Sequence, residues 1–187
     1  MRKITLKFQV SLDGVVSNAD RWMYITDEVL EDSIEYYENL DAIIVGGNSY
    51  LPLAEYWQKA EQSSRSSLER NFARRINQIS KLVLTHSEVD LVWNNSKLLL
   101  IKDSESFVQE IKRLKVTEGR DISVEAGKRT WQHFLEHDLW DGITMWVHPV
   151  IVGSGEPLFS AVPAKTALHL ADSKIYRNGV IMLQYEK

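Results

Sequence analysis

Two stretches carry the residue types that bind phosphate. One is Ala126-Gly127-Lys128-Arg129-Thr130, between an alternating strand pattern and a helical pattern. The other is Gly46-Gly47-Asn48-Ser49, after a short apolar strand pattern. A strand that turns through glycine into a helix gathers free backbone N–H groups and the positive end of the helix dipole at one spot. Lys128 and Arg129 add full positive charge to the first turn. Phosphate or pyrophosphate suits such a turn best. One turn is a weak signal. Two in one small domain suggest a ligand with several phosphates, with core-packing glycines as the bland alternative.

His133-Phe134-Leu135-Glu136-His137 fits the H-x-x-E-H pattern of one class of zinc peptidases. At about 100° per residue, however, the two histidines lie nearly opposite the Trp131/Phe134/Leu135 stripe. That stripe is expected to face a sheet, so His133 and His137 are expected in solvent, and no metal site is assigned. Gly153-Ser154-Gly155 lacks the G-x-S-x-G spacing of a nucleophile elbow and reads as a turn near a ligand. His148, inside a strand before Pro149, reads as a packed histidine.

These residues need elements to position them. Asp121 to Glu125 alternates as a strand, Thr130 to Asp138 is periodic as a helix, and Ile143 to Val152 is β-rich throughout. Upstream, Lys3 to Val10 is a strand with Ile4, Leu6 and Phe8 on one face and Thr5, Lys7 and Gln9 on the other. Ser11 to Gly14 is a turn, and a polar loop leads to Trp22. Asp27 to Leu40 is a helix whose acidic face reads as solvated. Asp41 to Val45 is apolar enough to be buried on both faces, and a helix opens near Asn48. Glu55 to Arg65 is the most linker-like stretch. A helix follows from Gln62 to Ile79, then strands from Lys81 to Thr85 and Lys97 to Ile101. Ser104 can cap a helix from Glu105 to Lys115. Strands from Thr166 to Asp172 and Gly179 to Tyr185 finish the chain. The alternation predicts one α/β domain over residues 1–187. It is a three-layer sandwich with a mostly parallel central sheet and an antiparallel C-terminal hairpin.

Bulk composition narrows the function classes. The chain has 187 residues, 44% of them hydrophobic and 26% charged, with a net charge of -4. That balance lacks the basic footprint of a nucleic-acid binder. With 0 Cys, thiolate metal sites and cysteine nucleophiles are excluded, and a reducing, cytoplasmic location is expected. The opening MRKITLKFQV enters a strand at once, so no secretory leader is expected there. No apolar run approaches the roughly 20 residues of a membrane helix. The 6 Trp are many for this length, and several near turns are expected to line a pocket.

Several motifs taken together resemble the dihydrofolate reductase-like superfamily, in the branch of the C-terminal reductase domain of the bifunctional riboflavin-biosynthesis protein. They are Val10-Ser11-Leu12-Asp13-Gly14, Asp41-Ala42-Ile43-Ile44-Val45-Gly46 with Ser49-Tyr50, Lys81-Leu82-Val83-Leu84-Thr85, and Asp121-Ile122-Ser123-Val124-Glu125-Ala126-Gly127. Leu135, Leu139, Asp141, the run His148 to Gly155, and Leu158-Phe159 complete the set. The resemblance covers nearly the whole chain. It implies a dihydrofolate reductase-like fold, NADPH as cofactor, and reduction of a C=N or C=O group in a flat heterocycle, either a pterin or a ribosylamino-pyrimidine. It places the cofactor phosphates at Gly46, Gly47, Asn48 and Ser49 and at Ala126, Gly127, Lys128, Arg129 and Thr130. It places the adenosine 2′-phosphate at Thr85, His86 and Ser87.

The resemblance also sets the substrate near strand one and the following helix, which nominates Ser11, Trp22, Gly153, Ser154 and Gly155. Asp27, with Asp13 second, is nominated to order substrate or relay a proton. Relatives in this family pair into homodimers, and the long apolar strand from Ile143 makes a dimer the expectation here. Three positions depart from the family pattern. Ala126 stands where glycine is usual and is expected to crowd the cofactor, Asn48 stands where arginine is frequent, and His86 replaces an arginine near the 2′-phosphate. These departures leave open an NADH-dependent reductase, or a member that has lost cofactor binding and serves as a binding or structural dimer.

Overall fold

The computed structural model describes residues 1–159 and 165–187. Its elements in chain order are β1 (Ile4–Ser11), α1 (Asp27–Glu38), β2 (Leu40–Gly46), α2 (Gly47–Ser63), α3 (Ser67–Gln78), β3 (Ser80–Thr85) and β4 (Ser96–Leu100). Then follow α4 (Ser104–Val116), β5 (Asp121–Val124), α5 (Lys128–Glu136), β6 (Gly142–His148), β7 (His169–Ile175) and β8 (Ile181–Glu186). The strands form one sheet in the order β4-β3-β2-β5-β1-β6-β8-β7. β4 to β6 are mutually parallel, whereas β8 runs antiparallel to both β6 and β7. This is the expected α/β architecture with its antiparallel C-terminal hairpin.

The alternation in β1 decides which layer each side chain joins. Ile4, Leu6, Phe8 and Val10 meet Ile122 and Val124 of β5 and pack under Phe107 and Ile111 of α4 and Trp131, Phe134 and Leu135 of α5. On the opposite face, Ile43 and Val45 of β2 and Val83 of β3 pack against Tyr50 and Ala54 of α2 and Phe72 and Ile76 of α3. A buried side chain of this size is worth about 1.5–3 kcal/mol of transfer free energy, so these two clusters hold the three layers together.

Several boundaries differ from the sequence reading. The β-rich run Ile143 to Val152 stops as a strand at His148, just before Pro149, and the hairpin strands lie at His169–Ile175 and Ile181–Glu186. Glu55 to Arg65 is no linker, because α2 runs through most of it. Its buried side includes Ala54 and Ala60, and alanine gives a weak apolar stripe. The next helix begins at Ser67, where the Ser66 side chain accepts the Glu69 amide at 3.2 Å. At α4 the capping residue is Asp103, not Ser104: Asp103 Oδ1 accepts the Ser106 amide at 2.8 Å and the Ser106 hydroxyl answers toward the Asp103 amide. Among the described residues no helix is long and apolar enough to cross a membrane.

Candidate functional site

The parallel strands end on one edge of the sheet, and there the chain forms an open groove of about 790 Å3. Its walls are the turns after β2, β3 and β5 and the first residues of α2, α4 and α5. Gly46, Gly47, Asn48, Ser49, Thr85, His86, Ser87, Gly127, Lys128, Arg129 and Thr130 all line it. The residues nominated from three separate turns are thus brought together.

Two of these three helices, α2 and α5, begin at an N-cap glycine. Gly46 and Gly127 supply no side-chain cap, so the first-turn amides of α2 and α5 have no capping side chain. α3 and α4, by contrast, are capped by side chains. Two uncapped N-termini and two cations, neither in an ion pair among the described residues, make the groove attractive to an anion.

The glycines do different work. A Cβ on Gly46 would lie 2.9 Å from Thr130 Oγ1, and one on Gly47 would lie 2.8 Å from Thr85 Oγ1. Those two positions are held by close packing between neighbouring turns. Gly127 is different: an added Cβ there meets nothing closer than Ser49 Oγ at 3.7 Å. Ala126 does not crowd the groove. It is buried in the core beneath α5 and is not a lining residue. His86 is a lining residue, and its Nδ1 pairs with the Ile101 carbonyl at 2.9 Å, which fixes the ring. None of the six tryptophans lines the groove. Trp93, Trp131, Trp140 and Trp146 are core residues instead, because buried sheet faces offer these large rings more apolar contact than a polar turn does.

The residues nominated for substrate and proton transfer separate into other places. Asp13 ties two loops together. Its carboxylate accepts the Gly153 amide at 2.7 Å, the Val152 amide at 3.1 Å and the Ser11 hydroxyl at 2.6 Å. These bonds, with Ser11 foremost, hold its pKa down to about 2. A carboxylate that stays ionised at neutral pH and is occupied by three donors is a loop clamp rather than a proton relay. The Ser11 hydroxyl is occupied too, since it also accepts the Val15 amide at 2.8 Å. Gly153 and Gly155 take positive φ values of 79° and 146° to shape the second loop, and Ser154 stands exposed between them. Ser17 Oγ accepts the Glu156 amide, and Glu156 reaches the groove wall. Trp22 packs edge-on against His148, with ring centroids 5.6 Å apart. Asp27 lies in a different depression, with Arg177 and Asn178 of the β7–β8 turn. It is not a groove residue.

Two features escaped the sequence reading. The first is a buried polar row beneath α1. Lys7 is 8% exposed, donates to the Tyr37 hydroxyl at 2.8 Å, and lies 3.5 Å from Glu125 Oε1. The Lys7 ammonium sits over the rings of Tyr37, Trp146 and Tyr36 at 4.2, 5.1 and 5.2 Å. Tyr36 donates to Ser123 Oγ, which donates to Glu125 Oε1. Burial lowers the Lys7 pKa against the opposing pull of Glu125, and burial, followed by the Glu125 charge, raises both tyrosines. His148 is buried in the same layer, with Nε2 paired to Gln9 Oε1 at 2.7 Å and a pKa lowered by burial. The signal was the period-2 set Thr5, Lys7, Gln9, whose second face turns out to be covered by α1.

The second feature corrects the placement of the helical histidines. His133 is not in solvent. It lines the groove and packs 5.6 Å from the Phe107 ring and 6.5 Å from the His86 ring. His137 is half-buried, 5.8 Å from Phe107. Helix α5 has two covered sides, because α4 flanks it as well as the sheet.

Comparison with known proteins agrees with this architecture. A sequence model of the RibD C-terminal domain matches residues 2–182. The uncharacterized Bacillus subtilis proteins YyaP and YwjB are 23% and 25% identical, over 98% and 96% of this chain and 94% and 95% of their own lengths. A protein ascribed to riboflavin biosynthesis in Shewanella sp. PV-4 superposes with a TM-score of 0.71 at 17% identity, covering 100% of this chain and 98% of that one. Acinetobacter baumannii RibD gives a TM-score of 0.67 at 17% identity, and this chain spans 58% of its length. The riboflavin biosynthesis reductase Rib7 of Saccharomyces cerevisiae gives 0.55 at 17% identity, covering 99% of this chain and 89% of that one. With a family match over almost its whole length and the same sheet beneath it, the chain belongs to the RibD C-terminal domain family.

Proposed function

We propose that the protein is a reductase that binds NADPH in the groove and reduces a C=N or C=O group of a flat heterocycle, a pterin or a ribosylamino-pyrimidine. The observation that carries this reading is the convergence of two uncapped helix N-termini, Lys128 and Arg129 on one groove. Two phosphates joined as a diphosphate suit two adjacent N-termini, and the space over Gly127 is open to them. In this reading the amides that follow Gly46 and Gly127 hold the diphosphate, and Lys128 and Arg129 neutralise it. Thr85, His86 and Ser87 meet the far end of the nucleotide. NADPH supplies the hydride. The stitched loops of Asp13 and Gly153 form the floor on which a flat ring is oriented. The balancing proton comes from water, because the groove is open and Asp13 is held ionised.

The test is calorimetric titration with NADPH and with NADH, followed by turnover assays on pterins and ribosylamino-pyrimidines. Micromolar binding of NADPH with turnover supports the reading. Tighter binding of NADH moves the protein to another reductase class, which the histidine at position 86 favours. A second reading is a non-catalytic binding protein, favoured by the distance of Asp27 from the groove and the engagement of Asp13 in the loop clamp. It predicts nucleotide binding, or none, without turnover.

A further inference from the structure

Helix α5 presents a second set of donor atoms beside the groove. His133 and His137 are four residues, about one turn, apart, so their side chains share a face. Their rings lie parallel, with an interplanar angle of 1° and centroids 6.3 Å apart. Glu136 joins them: one ligand atom from each of His133, Glu136 and His137 lies within 4.8 Å of the others. Phe107 of α4 flanks both rings at 5.6 and 5.8 Å and holds them half-buried. His133 Nδ1 is buried and has no hydrogen-bond partner. A buried ring nitrogen without a partner is costly in either tautomer, and a cation bound at that nitrogen would remove the cost.

We propose that His133, Glu136 and His137 bind one divalent transition-metal ion of the zinc class. Two imidazoles and a carboxylate suit zinc, nickel or copper, whereas magnesium and calcium prefer sets of oxygen ligands. Zinc–nitrogen bonds of about 2.0–2.1 Å draw the three donors closer together than they now stand. Side-chain rotation supplies that movement, since His133 and Glu136 sit in the last turn of α5 and His137 is its C-cap residue. The site is not a peptidase centre. Glu136 is exposed and would serve as a ligand, so it is not free to act as the general base of that motif. The ion would stand at the groove wall through His133. Its existence is nonetheless independent of which nucleotide, if any, the groove takes.

The experiment uses the full chain stripped with chelator and titrated with Zn2+ by calorimetry, and with Co2+ by visible absorption. One equivalent should bind, and the Co2+ complex should show d–d bands. His137→Ala should weaken binding at least about tenfold, as losses around a metal site commonly do, and so should His133→Ala. His169→Ala, on the exposed strand β7, should leave binding unchanged. Zn2+ should raise the melting temperature of the wild type but not of His137→Ala. Absence of binding, retention of full affinity in a folded His137→Ala protein, or loss of binding in His169→Ala would each overturn the site.

Discussion

The Lys7–Glu125 pair is where a small chemical change should have the largest effect. Lys7 is 8% exposed and the Glu125 side chain 17%, with 3.5 Å between Nζ and Oε1. At an effective dielectric of about 20 that separation gives roughly 5 kcal/mol of attraction. Desolvation works against it, and the lowered pKa of Lys7 shows that burial outweighs the carboxylate. The pair as a whole should therefore contribute little, while either member alone should be a burden. Lys7→Met keeps the stem volume but leaves Glu125 without its cation and the Tyr37 hydroxyl without its donor. Breaking one side of a buried pair costs about 3–5 kcal/mol. We expect Lys7→Met near the low end, about 3 kcal/mol, because Glu125 keeps the Ser123 hydroxyl. In a chain of this size that corresponds to a fall of roughly 6–12 °C in Tm. Glu125→Gln should cost about 2 kcal/mol, since the ammonium still lies over three aromatic faces. The double variant should cost no more than Lys7→Met alone, a coupling of about 2 kcal/mol. Urea unfolding of the four proteins at neutral pH measures the cycle. Additive losses, or a coupling below about 0.5 kcal/mol, would refute the claim that these two charges depend on each other.

Gly127→Ala should leave the melting temperature within about 2 °C of wild type, as ΔΔG stays within about 0.5 kcal/mol where no neighbour is closer than Ser49 Oγ at 3.7 Å. The same variant should weaken nucleotide binding at least tenfold in calorimetry, whereas equal binding would remove the turn from the proposed diphosphate site. Gly47→Ala is the counterpart: its Cβ would press on Thr85 at 2.8 Å, so a loss of stability of about 1–3 kcal/mol is expected by chemical unfolding. Asp13 sets a pH dependence. Its folded pKa of about 2 lies below the ordinary 3.8, so the folded chain binds fewer protons and the clamp stabilises above pH 4, fading as pH falls toward 2. The protection of the Val152 and Gly153 amides, measured against their intrinsic exchange rates, should fall over that window, and Asp13→Asn should lack that protection already at pH 6. Leu170 and Ile175 on β7 are 54% and 76% exposed, and we propose that a second copy covers them. Ile175→Asp should then convert a dimer to a monomer by light scattering, and a wild-type monomer at working concentration would end that proposal.

How much of this was legible in the sequence follows from which forces write a local pattern. The strands of the parallel sheet were readable because burial on both faces leaves an unbroken apolar run, as in Asp41 to Val45. Two glycine turns pointed to the groove, although Gly46 and Gly47 also answer to close packing and only Gly127 opens onto free space; the turns after β2, β3 and β5, remote in sequence, converge because parallel strands all finish on one edge. Helix α2 was missed at Glu55 to Arg65, where alanines rather than leucines make the contact. The histidines of α5 were misplaced by a correct helical wheel: 100° per residue says which residues share a face, but not that a second helix covers the other side. The polar row is the deeper case. Lys7, Ser123 and Glu125 alternate with apolar neighbours, and that pattern is the one a solvent-facing strand also shows. What distinguishes them is α1, a helix from elsewhere in the chain, laying Tyr36 and Tyr37 over that face. A charge becomes costly only after that long-range contact forms, so its cost leaves no mark on local periodicity. The family's shared sheet edge and this chain's particular buried pair therefore rest on different kinds of evidence. The first follows from turn chemistry at three positions, while the second exists only in the folded layer and can be probed only by coupled substitution.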